Sequence, residues 1–248
     1  MIPKIIHYCW FGKNEMPENV KKCIDSWRRL CPSYEIIKWD ESNYDFHKNQ
    51  YISEAYKKGK FAFVSDFARL DIIYNNGGIY LDTDVELIKP FDDLLDNHCY
   101  FGCEFPGVIA TGLGFGAEKK HDFLKDNMAE YSSEHFVVNG KTNTTTCVEY
   151  TMRALSGKGI KKVDYIQKFD DVVVFPPEYF CPLSLYTNKL KISEKTYSIH
   201  HYDATWYGNN NTKKIIKKKI IPIKIFAKTT INNIFGEGTY EKIKNRIS

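Results

Sequence analysis

The 248-residue sequence predicts an α/β sandwich built on a largely parallel sheet. Three observations carry this reading. Apolar runs of strand length alternate with amphipathic stretches of helix length through the first 95 residues. The length suits one large domain, or a domain with a small appendage. A glycine pair also feeds a short apolar strand that ends in two carboxylates, Asp82 and Asp84, and ligands of such sheets gather at the carboxyl ends of strands.

Lys4 to Phe11 reads as a buried first strand closed by Gly12. Pro17-Glu18 opens a helix that carries Val20, Ile24, Trp27 and Leu30 near one face and stops before Pro32. Glu35 to Asp40 is a second strand. Helical patterns follow from Gln50 to Lys58 and from Phe61 to Tyr74, the latter ended by Asn75-Asn76-Gly77-Gly78. Ile79-Tyr80-Leu81 then leads into Asp82-Thr83-Asp84, and Val85 to Ile88 continues extended until Pro90. Beyond Pro90 the pattern is less regular. The alternating glycines of Gly112-Leu113-Gly114-Phe115-Gly116 allow close backbone approach or a strand crossing the site, and do not form a dinucleotide fingerprint. Helices are expected over His121–Tyr131 and Thr145–Leu155. Strands are expected over Val172–Phe175, ended by two prolines, and over Tyr197–His201.

Composition excludes some classes. Seven cysteines, at positions 9, 23, 31, 99, 103, 147 and 181, include no Cys-x-x-Cys pair, which argues against a disulfide framework and a thiolate zinc site. Reduced thiols in a cytoplasmic protein are the expectation. The first residues hold too short an apolar run for a signal peptide, and no segment has membrane-spanning length. The net charge of +4 hides an asymmetry. Residues 213–248 carry ten Lys or Arg and two Glu, whereas the rest of the chain is mildly acidic.

The chemistry centres on Asp82 and Asp84. Side chains two apart on a strand share a face, so the two carboxylates are expected to point together. Two hard oxygen donors at that spacing suit a divalent cation that keeps positions open for phosphate oxygens. Upstream, Asp66 and Arg69 lie three apart on one helical face. As a surface ion pair they would contribute well under about 1 kcal/mol. Their place inside an otherwise apolar helix leading to the Asp pair argues for more.

The stretch from Phe61 to Leu95, with Ser65-Asp66-Phe67-Ala68-Arg69-Leu70 and Gly77-Gly78-Ile79-Tyr80-Leu81-Asp82-Thr83-Asp84, closely resembles the glycosyltransferases with a DxD sugar-binding region. These include yeast-type initiating mannosyltransferases and bacterial capsule or lipopolysaccharide sugar transferases. The opening Pro3 to Gly12 is similar to that family's first strand. The resemblance is strong over residues 1–95, looser over 105–206 and absent from the tail. It implies a GT-A-type, Rossmann-like nucleotide-sugar-binding α/β/α sandwich over residues 1–210, followed by a basic segment, 211–248.

It further implies a retaining, metal-dependent hexosyltransferase using Mn2+ or Mg2+, acting on a nucleotide sugar, with uridine favoured by analogy, and on a glycan or lipid-linked glycan acceptor in polysaccharide synthesis. Trp10 matches the aromatic that stacks on the base. Asp66 and Arg69 match the pair that holds donor-sugar hydroxyls and orients phosphate. Asp82 matches the carboxylate near ribose, sugar and metal-bound water, and Asp84 the direct metal ligand. Tyr80 occupies a ring position lining the donor pocket. His201 is the expected further ligand and Trp206 the indole donor to phosphate, with His200 open as an alternative because alternation lets only one histidine face the metal.

The tail interleaves lysines with isoleucines from Lys213 to Phe226. It reads either as a segment lying on an anionic membrane surface, which would make the protein peripheral on the inner face, or as a helix packed by its Ile face. Nucleic acid is not expected as a partner, since no reading motif accompanies the lysines. A non-catalytic nucleotide-sugar or carbohydrate-binding protein on the same fold is the alternative to an enzyme.

Overall fold

A computed structural model describes residues 1–184 and 187–203. In chain order the elements are β1 (Ile5–Cys9), α1 (Glu18–Leu30), β2 (Glu35–Trp39), α2 (Gln50–Lys57), α3 (Phe61–Asn76), β3 (Gly78–Tyr80), β4 (Val85–Leu87), β5 (Cys99–Phe105), β6 (Val108–Ile109) and β7 (Phe115–Ala117). They continue with α4 (Asp122–Ala129), β8 (Val137–Val138), β9 (Lys141–Thr142), α5 (Cys147–Ala154), β10 (Gln167–Phe169), β11 (Val172–Phe175), α6 (Pro177–Phe180) and β12 (Ser198–His200).

The main sheet runs in the order β10-β11-β5-β7-β3-β1-β2, with β6 paired to the end of β5. β1 is parallel to both β2 and β3, and β5 is parallel to β11. β7 lies antiparallel between β3 and β5, which leaves β5 running in the direction of β3. Five of the seven strands on this path therefore share one direction, and only β7 and β10 oppose it. The predominance of one strand direction expected from the alternation of elements is what the structure shows. β1, β3 and β5 consequently deliver their C-terminal ends to one edge.

Side chains alternate across β3. Tyr80 joins the apolar layer made with α2, α3, α4 and α5, whereas Ile79 and Leu81 join the opposite layer with α1, β4 and α6. Local sequence explains the turn into β3. The Gly77 N–H closes α3 on Ile73 O, and Gly77 and Gly78 adopt φ of 70° and 101°, which L side chains rarely tolerate. At Gly78 a Cβ would also stand 2.7 Å from Ile5 O. On the other layer the buried Trp27 of α1 donates its indole N–H to Val85 O at 2.7 Å, tying that helix to β4.

β12 pairs antiparallel with β4, placing His200 opposite Val85. Contacts divide the chain into two units, Met1–Pro182 with Lys191–Tyr202, and Leu183–Leu190 with Asp203–Ser248. In the second, Leu183 and Leu190 form an isolated bridge. The expected basic segment 211–248 lies outside the described residues. No helix among the described residues is long and apolar enough to cross a membrane.

Candidate functional site

β3 ends at Tyr80, so Asp82 and Asp84 do not lie on a strand as their spacing predicts; they occupy the turn between β3 and β4. They converge all the same. Asp82, Asp84 and His200 each offer a ligand atom, and the three atoms lie within 4.8 Å of one another. His200 Nε2 is 3.1 Å from Asp84 Oδ1, and the two side chains are 13% and 14% exposed. The His201 N–H donates to Asp84 O at 2.9 Å, a backbone clamp that closes the end of β12 on the turn.

The expectation for His201 needs correcting. His200 is the histidine at the Asp pair, whereas His201 Nε2 lies 2.8 Å from Glu86 and remains 35% exposed. Alternation along the chain is the cause: with His200 turned to the pair, the next side chain points elsewhere.

Arg69 sits behind the pair. It is 3% exposed, and its Nη2 lies 3.0 Å from Asp66 Oδ1 and 3.1 Å from Asp82 Oδ1. Its Nε donates to Ser65 O at 3.1 Å and Nη1 to Thr111 at 3.3 Å, with Cys147 Sγ 3.8 Å away. One buried guanidinium is thus shared by two carboxylates, and removing it would leave both without their cation, a change of about 3–5 kcal/mol. Burial pushes the Asp66 carboxyl up to about 6, Arg69 opposing and Asp82 adding to the rise. Asp82 is raised chiefly by burial as well, again against Arg69. For His200, burial opposes the charged form, but the charge of Asp84 and the hydrogen bond to it outweigh this and raise the imidazole.

Tyr80 also departs from expectation. Its ring is 1% exposed and lies beneath Arg69, 5.1 Å from the guanidinium carbon, while its hydroxyl donates to Asp82 Oδ1 at 3.1 Å. It supports the acidic pair from the core. Trp10 follows the C-terminal end of β1, the strand beside β3, and is partly exposed, with its indole N–H held on Asn14 O at 2.7 Å. Trp206 lies outside the described residues.

Gly112 meets the expectation of close approach. Its carbonyl accepts from the Asp82 N–H at 3.3 Å, and a Cβ there would run into Asp82 Oδ2. Thr111 and Cys147 were not legible as site residues, since nothing local marks them and the fold alone brings them to Arg69.

The three converging groups fit a divalent cation. Two carboxylates and an imidazole form an oxygen-rich donor set with one nitrogen, suited to Mn2+ or Mg2+. The buried His200 Nδ1, the ring nitrogen turned away from Asp84, has no hydrogen-bond partner among the described residues.

Residues 17–101 match the family described as glycosyltransferase sugar-binding region containing DXD motif. Residues 17–101 thus resemble the sugar-binding region of the DXD glycosyltransferases. Curated relatives include inositol phosphoceramide mannosyltransferase 3 of Schizosaccharomyces pombe, 37% identical over half of this chain and 35% of its own length. Inositol phosphoceramide mannosyltransferase 1 of the same yeast is 29% identical over 54% of this chain and 45% of its own. The chain thus spans less than half the length of these two relatives. An uncharacterized glycosyltransferase of Acanthamoeba polyphaga mimivirus matches more evenly, 27% identical over 76% of each chain. Among solved structures, a glycosyltransferase involved in glycosylation of the major capsid of PBCV-1 aligns with a TM-score of 0.46 and 13% identity, over 88% of this chain and 100% of the other.

Proposed function

We propose that this chain is a metal-dependent, retaining glycosyltransferase that moves a hexose from a nucleoside-diphosphate sugar to a glycan or lipid-linked glycan acceptor in surface-polysaccharide assembly. The observation that carries the reading is the convergence of Asp82, Asp84 and His200 at the strand edge, with a buried Arg69 fixed behind them. The family match over residues 17–101 supports the transfer chemistry, and relatives named for mannosyl transfer to inositol phosphoceramide support a hexose and a lipid-borne acceptor.

In this reading Asp82, Asp84 and His200 hold the cation, which supplies positive charge to the departing diphosphate when bound. The chain's own residues do the rest. Arg69, pinned on Ser65 and Thr111, fixes the orientation of Asp82 and adds positive potential in a water-poor setting, where fixed charges act most strongly. Asp66 offers carboxylate oxygens to donor-sugar hydroxyls. Trp10, anchored by its indole N–H, presents its ring at the neighbouring strand end for base stacking. Retention of anomeric configuration requires no dedicated base among these residues. The sequence of the tail supports a cytoplasmic enzyme resting on an anionic membrane face.

The test is hydrolysis of UDP-glucose, UDP-galactose, UDP-N-acetylglucosamine and GDP-mannose by the full chain with Mn2+, with EDTA and for Asp84→Ala. One donor should be hydrolysed with Mn2+, and both EDTA and the substitution should lower the rate about 100-fold or more. A saturating donor should add about 3 kcal/mol of stability at a hundredfold excess over Kd, visible in a thermal shift. Donor binding with rates equal in wild type and Asp84→Ala would instead establish a non-catalytic binder.

A further inference from the structure

The site has two flanks. On the α3 flank Arg69 holds the polar groups in place, engaging Ser65, Asp66, Asp82, Thr111 and Cys147, and in the reading above Asp66 serves the donor sugar. On the β12 flank stand His200, Tyr202 and Cys181, the Tyr202 hydroxyl and the Cys181 thiol being 2.9 Å apart. One further side chain belongs to this second flank, Glu104 near the end of β5.

Topology puts it there. β5 runs with β3, so its C-terminal end reaches the edge that carries Asp82. The pairing of β5 with β6 shifts register between Cys103 and Phe105, which leaves Glu104 in a bulge. Bulges release a residue from the ladder and re-aim its side chain. Cys103 faces the core, whereas Glu104 is only partly buried. Its charge is felt by His200, Tyr202 and Cys181. Burial pushes its carboxyl up to about 7, with the charge of His200 opposing.

No described residue donates a hydrogen bond to the Glu104 carboxyl or forms an ion pair with it. A half-buried carboxyl with no protein donor keeps its acceptor oxygens available to an O–H or N–H from a ligand. Sugar hydroxyls supply such donors. A transferase needs two sugars at one edge, on either side of the reacting phosphate, and the α3 flank accounts for one of them.

We propose that Glu104 hydrogen-bonds a hydroxyl of the acceptor sugar and so positions the acceptor against the site. This rests on the transferase reading above. Glu104 forms no covalent bond in this role; it sets how the acceptor lies and which hydroxyl is presented.

The experiment compares wild type, Glu104→Gln and Glu104→Ala for three readouts with Mn2+. These are donor hydrolysis, thermal shift with donor, and transfer to octyl β-glucoside, octyl β-galactoside and octyl α-mannoside. Hydrolysis and donor-induced shift should stay within about twofold of wild type. Transfer should lose at least tenfold in kcat/KM for Glu104→Ala, mainly through the acceptor KM. Glu104→Gln, which keeps the shape and one acceptor oxygen, should recover part of the loss.

Equal transfer by all three proteins overturns the inference while leaving the transferase reading intact. A parallel fall in hydrolysis and transfer also overturns it, because Glu104 would then serve the donor. Hydrolysis by wild type without transfer to any glycoside counts against the acceptor role alone. Wild type inert toward every donor sinks the transferase reading itself, and this inference with it.

Discussion

Replacing Gly112 with alanine tests how firmly the acidic pair is held. An alanine Cβ would fall inside 3.0 Å of Asp82 Oδ2 and 3.2 Å from Arg69 Nη1. The carboxylate would have to retreat roughly 1 Å to regain van der Waals separation. It is not free to do so, because Arg69 Nη2 and the Tyr80 hydroxyl both hold Asp82 Oδ1, each at 3.1 Å. A displacement of that size takes such contacts beyond hydrogen-bonding range. Loosening a buried, charge-assisted contact costs about 1.5–3 kcal/mol. For a chain of this size that lowers the melting midpoint by roughly 5–10 °C. Function should suffer more than stability, since a misplacement of about 1 Å in a reactive site costs on the order of 100-fold in rate. The assay is calorimetric titration of Gly112→Ala with Mn2+, run beside donor hydrolysis and a melting curve. A variant with the wild-type midpoint and wild-type Mn2+ affinity would refute the claim that Asp82 is pinned.

Two further outcomes are expected. His200→Ala should weaken Mn2+ binding at least tenfold, whereas His201→Ala, which loses only a partly exposed contact to Glu86, should leave it within about twofold; calorimetry reads both, and the reverse order would reinstate His201. The fully buried His7 is held neutral, accepting from the Trp39 indole N–H on Nδ1 at 3.0 Å and donating from Nε2 to Gly77 O at 3.0 Å. Burial lowers its pKa from 6.5 to about 4, so between those values the unfolded chain takes up a proton that the folded chain refuses. Stability is therefore lost as pH falls through this window, by about 2–3 kcal/mol near pH 4.5. Urea unfolding at pH 7 and 4.5 should show this loss in wild type and its near absence in His7→Gln; equal losses in both would assign the pH dependence to other groups.

Much of the first 95 residues was legible because local signals agree there. The helix ending at Asn76 is announced by the two glycines that follow, and the strand they feed is apolar. Asp66 and Arg69 were visible from their i, i+3 spacing inside an apolar helix, and the structure brings both to Asp82. What escaped depended on long-range pairing. β5, a central strand, hides behind Cys99-Tyr100-Phe101-Gly102, whose internal glycine weakens a strand pattern; the reason for Gly102 appears only in three dimensions, where a Cβ would strike Phe180. β7 was read as alternating glycines, and only the sheet shows it sandwiched between β3 and β5. The choice between His200 and His201 turned on the register of β12 against β4, which no local pattern encodes. Tyr80 was placed by resemblance at a pocket, whereas strand alternation sends its ring into the layer beneath Arg69.

The pairing of β12 with β4 also bears on biogenesis. Its register joins Ser198–His200 to Val85–Leu87, more than a hundred residues upstream. While the polypeptide is still being translated, the acidic turn and its arginine can fold with the strands around them, yet the imidazole is missing until the late segment has left the ribosome and annealed onto the waiting edge. Until that pairing forms, the nascent chain has only two of the three groups that converge in the folded protein.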